Sequence, residues 1–166
     1  MKEILDKLSS YNIFNNLMPG VLFVIFTKSL TDYNFIQSDI LLGSFLYYFL
    51  GMVISRFGSV VYEPVLKKIK ILKFKDYSSY VSASKKDVKI ELLSEVNNAY
   101  RTINAMLFLI FAVKIYNLIA TKFQLSDNFS TYFSSILIFI LFLFSYTKQT
   151  KYINKRIEAN EQEIIT

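Results

Sequence analysis

Apolar residues gather in four runs, at 18–26, 40–54, 105–120 and 132–144, and charge is almost absent from each. Extended to natural boundaries, each run approaches the ~20 residues that a helix needs to cross ~30 Å of hydrocarbon. The pattern predicts an all-α integral membrane protein with four transmembrane helices. Helices 1 and 2 occupy 18–62 and helices 3 and 4 occupy 102–147. A basic helical segment at 63–101 separates the pairs, and 148–166 forms a tail. Ahead of the first span, 1–17 reads as an interfacial amphipathic helix. Ile4, Leu5, Leu8 and Ile13 face lipid there, and Lys2, Glu3, Asp6 and Lys7 face water. Asn15 and Asn16 then stand as cap residues before Pro19-Gly20, a turn that serves either as a simple entry or as a hinge.

Lysine and arginine set the orientation. Sixteen of the nineteen lie in the N-terminal stretch, the middle segment or the tail. Only Lys28 and Lys122 fall in the opposite loops, and Lys114 lies inside the third run. The positive-inside bias places both termini and the middle segment in the cytoplasm. No small-x-small cleavage site follows the first run, so the N-terminus is not expected to be a cleaved signal.

Within the second span and its extension, Gly51, Ser55 and Ser59 recur every four residues. Small side chains at that spacing let helix backbones approach closely. The sequence leaves open whether the approaching helix belongs to the same chain or to a neighbour. Glu63-Pro64 is the first clear breaker after this span. Beyond it, Val65, Leu66, Ile69 and Leu72 fit one helical face, with Lys67, Lys68, Lys70, Lys73 and Lys75 on the others. A basic amphipathic helix of this kind lies on anionic inner-leaflet lipid or binds a polyanion. Lys85, Lys86 and Lys89 extend the same basic surface. Residues 77–82 read as a linker, and Ser84 with Asp87 as a capping box. From Lys85 a helix is expected to run to Ala120, its first part projecting into the cytoplasm as a stalk.

The third span is the polar one. Asn97, Arg101 and Asn104 fall on one stripe, and Lys114, Asn117 and Thr121 on a second. A lysine deep in a span costs about 2.5–3.5 kcal/mol on insertion scales, so Lys114 either snorkels to the outer interface, pairs with Asp32 or Asp39, or faces a wet passage. Asn104, Lys114 and Asn117 are therefore the candidate pore-lining residues. The fourth span is almost wholly Ile, Leu and Phe, which suits lipid contact.

Composition agrees with a membrane class, at 53% hydrophobic and 17% aromatic residues with mean hydropathy +0.35. Cysteine and histidine are absent, which removes thiol nucleophiles, imidazole bases and the usual zinc sites. Four glycines make no phosphate-binding loop. The chain is expected to have no catalytic residues, no metal and no cofactor.

Asn15-Asn16 with Pro19-Gly20, Gly51 with Arg56 and Gly58-Ser59, Lys85-Lys86-Asp87 and Asn98-Ala99-Tyr100-Arg101 form a layout over the first hundred residues. That layout resembles the small multi-span membrane effectors of bacterial anti-phage defence, such as the type VI CRISPR accessory pore and CBASS or Hailong-like effectors. The resemblance implies a bacterial inner-membrane protein whose copies oligomerise into a pore when a soluble partner or a nucleotide or oligonucleotide signals infection. The arginine–histidine ribonuclease motif suggested for some of these proteins has no counterpart in a chain without histidine. Two other roles fit the same residues. One is a membrane anchor or scaffold that recruits a partner through its basic segment; the other is a holin-like toxin.

Overall fold

The computed structural model describes residues 13–165, with Phe14 and residues 162–165 described by backbone alone. Most of the expected N-terminal amphipathic helix therefore lies outside the described residues. Among the described residues there are six α-helices and two short π-helical turns: a first π turn Ile13–Leu17, α1 Met18–Leu30, α2 Ile40–Phe57, a second π turn Gly58–Tyr62, α3 Glu63–Lys68, α4 Tyr77–Lys86, α5 Lys89–Phe123 and α6 Asp127–Ile165. No strand occurs among the described residues.

Among the described residues three helical rods are long and apolar enough to cross a membrane: Ile40–Lys68, Lys89–Phe123 and Asp127–Glu161. The first apolar run instead forms the 13-residue α1, lengthened at its start by the π turn. Pro19 stands in the first turn of α1, directly after the π turn. Thr31 closes that helix, its hydroxyl and its N–H both donating to the Thr27 carbonyl. Asp39 then caps α2, accepting from the Leu42 N–H at 2.8 Å.

Several local expectations are corrected. Glu63-Pro64 does not end the second rod. A π turn is wider than an α turn, and the one just before Pro64 lets the chain pass the proline without interruption. The helix breaks six residues later, at Lys70, whose φ of 64° is left-handed. Ile71 N–H bonds back to Leu66 and Lys70 N–H to Lys67, the pair of bonds that terminates a helix when one residue turns left-handed. The basic stretch 65–75 is therefore not one amphipathic helix, because Lys70, Lys73 and Lys75 follow its end.

Residues 77–82 are helical rather than a linker. Ser84 lies inside α4 and donates to the Val81 carbonyl, so it caps nothing. Asp87 does that work, accepting from the Lys89 N–H at 2.9 Å as α5 begins. The long helix thus starts at Lys89 rather than Lys85, and ends at Phe123 with Gln124 in the left-handed role. Its 35 residues extend about 52 Å. The tail continues α6 to Ile165 without a break.

Phe23 of α1, Ile54 of α2 and Ala105, Met106 and Ile110 of α5 form the core. Helices α1, α2 and α5 pack on one another around it. Helix α6 lies along α2, and its far half packs against α4. Tyr77 and Tyr152 meet there with ring centroids 5.6 Å apart, and Lys85 Nζ donates to Asn160 Oδ1 at 3.0 Å.

Candidate functional site: a buried polar seam at the inner helix ends

The four-residue spacing that begins at Gly51 continues through Ser55 and Ser59 to Glu63 and Lys67. Each position meets a different neighbour within the same chain. Gly51 lies against the backbone of Asn16, so closely that a Cβ would stand 1.7 Å from the Asn16 carbonyl oxygen. Gly20 is its counterpart, where a Cβ would lie 1.8 Å from the Tyr47 carbonyl oxygen. Two glycines, one on each side, let the first π turn and α1 lie flush on α2. The stripe's partner, open in the sequence, is thus another part of the same chain.

One turn further in, side chains take over from backbone. Asn15 Nδ2 donates to Ser55 Oγ at 3.2 Å, and Thr102 Oγ1 donates to Asn15 Oδ1 at 2.9 Å. Asn16 Nδ2 reaches Tyr48 Oη at 3.4 Å. One asparagine thereby joins α2 to α5, forty residues away on one side and 87 on the other. Asn15 and Asn16 are buried cross-links rather than helix caps.

The next layer is made by a proline. Glu63 N–H donates five residues back, to Gly58 O. Pro64, which would serve Ser59 in the same register, has no N–H. The Ser59 carbonyl is left without a backbone donor, and Lys148 of α6 supplies one, donating also to Ser59 Oγ at 2.9 Å. Immediately below, the buried Glu63 carboxylate accepts from Lys67 at 2.7 Å and from Arg101 at 3.0 Å. Glu63 joins α3 to α5 as Asn15 joins α2 to α5. Among the described residues Arg101 Nε is buried without a partner, and Lys67, Arg101 and Lys148 gather about the one carboxylate of Glu63.

At the opposite end, Asn117 Nδ2 donates to Asp32 Oδ2 at 2.9 Å and Tyr116 Oη to Ser130 Oγ at 2.8 Å. These bonds fix the loop after α1 and the start of α6 to the end of α5. Between the Arg101 layer and the Asn117 layer α5 runs about 24 Å, and the buried core in that interval is dominated by apolar side chains.

The candidate pore residues are not brought together by the single chain. Asn117 is buried on Asp32. Lys114 and Asn104 are exposed on the outer side of α5, and Asn104 donates to its own helix at Tyr100 O. Asp32 is occupied by Asn117 rather than Lys114, and Asp39 by its capping bond.

The candidate lysines divide likewise. Lys67 is bound to Glu63 and lies 4.2 Å from the Phe74 ring centroid, and Lys85 is tied to α6. Lys68, Lys70, Lys73, Lys75, Lys86 and Lys89 are exposed. Sequence reasoning missed Asn15, Thr102, Tyr48, Glu63 and Lys148 as members of one seam. Two signals were present: a carboxylate four residues beyond Ser59 in the small-residue stripe, and a proline five residues beyond it.

No protein family, curated protein or solved structure matches this chain.

Proposed function

We propose that this is a non-enzymatic membrane protein with four crossing segments, both termini cytoplasmic, whose copies assemble to permeabilise a bacterial inner membrane. The observation that carries the four-span reading is the separation of the two polar layers. Asn15, Ser55, Thr102 and Lys148 belong to the inner layers, and Asp32, Asn117 and Ser130 to the outer one. Along α5 and α6 that separation is about 24–27 Å, close to the hydrocarbon thickness of a bilayer. The first π turn and α1 together join the same two layers, which supports a crossing by the short first helix as well.

The inner polar groups bond one another, so the single chain is closed on itself. The outward Asn104 and Lys114 favour assembly, since a polar face in lipid is relieved by a neighbour or by water. The exposed stretch Lys68–Lys75 interleaves lysines with Ile69, Ile71 and Phe74 just beyond the inner layer. That composition suits anionic inner-leaflet lipid. A nucleotide signal or a soluble defence partner would act on the cytoplasmic α4, α5 and α6 segments. The anti-phage role rests on the resemblance in layout alone.

The test is dye release from liposomes of purified protein, together with conductance in a planar bilayer. A protein that inserts and forms oligomers but passes neither dye nor ions refutes permeabilisation. The second reading, a membrane anchor for a soluble partner, is favoured by the helical unit that α4 forms with the inner halves of α5 and α6.

A further inference from the structure

We infer that copies of this chain pack in parallel along α5, with the outward face of that helix as the seam. The inference rests on the membrane-spanning reading above and names the surface that assembly would use. Starting at Leu93 and stepping alternately four and three residues as far as Thr121, every position of α5 is exposed. The six buried residues of the helix, from Thr102 to Ala120, lie on the opposite face. Four-three spacing is the heptad period at which two helices wind about each other with a continuous contact.

What covers this face follows from its length. Leu93 is 65% exposed and Tyr100 64%, both on the inner side of the Arg101 layer, where water replaces lipid. Phe111 is 69% exposed and Leu107 43%, both between the polar layers. Lipid covers the second pair and not the first, and a soluble partner the first and not the second. A single occupant of the whole face must cross the membrane and continue inward as a helix, in the same direction as α5. A second copy's α5 has that length, that direction and that spacing.

Register is supplied by Asn97 and Asn104. They are seven residues apart and occupy the same heptad position. In a parallel, in-register pair each meets its own counterpart, and an amide both donates and accepts. A slip of three or four residues would set each asparagine against Tyr100, Leu93 or Leu107 and lose those bonds. Asparagine at such a position selects register in coiled coils and joins helices within membranes. Lys114 falls on the same seam one turn from the outer Asn117–Asp32 layer. Like charges meet there, so the copies pack most closely between Leu93 and Phe111 and part towards the outer end.

The chain has no cysteine, so single-cysteine variants report directly. Oxidative cross-linking in native membranes is compared for Leu93→Cys, Asn97→Cys, Tyr100→Cys, Asn104→Cys and Lys114→Cys, with Glu91→Cys and Glu95→Cys as exposed positions off the seam. A disulfide needs Cα atoms within about 7 Å, which only facing positions meet. The expected result is at least fivefold more cross-linked dimer at the first four positions than at Glu91 or Glu95, with less at Lys114. Equal cross-linking at Glu91 and Glu95, or none at the seam, overturns the inference. Every replaced side chain is exposed, and retention of the wild-type melting temperature confirms that each variant folds. Seam disulfides in a protein that releases no dye leave this inference standing and remove the pore. Dye release without seam disulfides removes the inference and leaves the pore.

Discussion

Replacing Gly51 by alanine tests the close contact on which the inner seam depends. The added Cβ would stand 1.7 Å from the Asn16 carbonyl oxygen and 3.0 Å from Asn16 Cα. Both are backbone atoms, so no side-chain rotation relieves the clash. Ordinary contact begins near 3.4 Å, so the first π turn must retreat from α2 by about 1.5 Å or more. The Asn15–Ser55 and Asn16–Tyr48 bonds, already 3.2 and 3.4 Å long, would then exceed hydrogen-bonding distance. Overpacking of this kind costs about 1–3 kcal/mol. Interhelical hydrogen bonds in membrane proteins average about 0.6 kcal/mol each. The sum is a loss of about 2–4 kcal/mol, measured as unfolding free energy in bicelles or mild detergent.

The internal control is Gly43→Ala. Its nearest neighbours are ring atoms of Tyr47 in the same helix, at 3.3 Å and beyond. Alanine there should be neutral, or stabilising by up to about 1 kcal/mol through helix propensity. Gly58, whose Cβ would meet Ala105 Cβ at 3.2 Å, should fall between the two. A Gly51→Ala protein within about 0.5 kcal/mol of Gly43→Ala would refute the reasoning, because it would mean that the two segments are not in backbone contact. The stripe acts within one chain, so the loss should appear in the stability of the monomer as well as in any assembly.

Three further predictions follow from the seam and the topology. Glu63→Gln removes the carboxylate between Lys67 and Arg101 and should cost roughly 2–4 kcal/mol; a cycle with Arg101→Gln should show strong coupling, and additive losses would dissolve the pair. Lys148→Met should destabilise the wild type more than it destabilises Pro64→Ala, because an alanine N–H at 64 restores a backbone donor for this turn; equal losses in both backgrounds would mean that Lys148 does not compensate for the proline. A cysteine at Lys86 should resist a membrane-impermeant reagent applied outside intact cells while one at Asp127 is modified, and the reverse pattern would invert the topology.

The linear pattern determined those features of this protein that depend on local composition and period. Four apolar runs, the one-sided distribution of lysine and arginine, and the small-residue stripe at Gly51, Ser55 and Ser59 were all legible, since each depends on residues within a few turns of one another. Helix termini were less legible. Pro64 reads as a breaker because an α-helix cannot hold its ring, and a π turn removes that conflict. Lys70 reads as the middle of a basic helix because nothing in a lysine announces a left-handed φ.

The identity of the partner across each face was decided only by the tertiary structure. Period shows that one side of α2 is special but not what lies opposite, and the answer came from residues 40 and 87 positions apart meeting at Asn15, and 89 apart meeting at Ser59. Asn15 and Asn16 have the composition of a cap, and burial turned them into cross-links. Asn117 and Lys114 look alike in sequence as polar residues of one stripe. The packing of α5 buried the first on Asp32 and left the second outside, because a helix can present only one of its faces to the core.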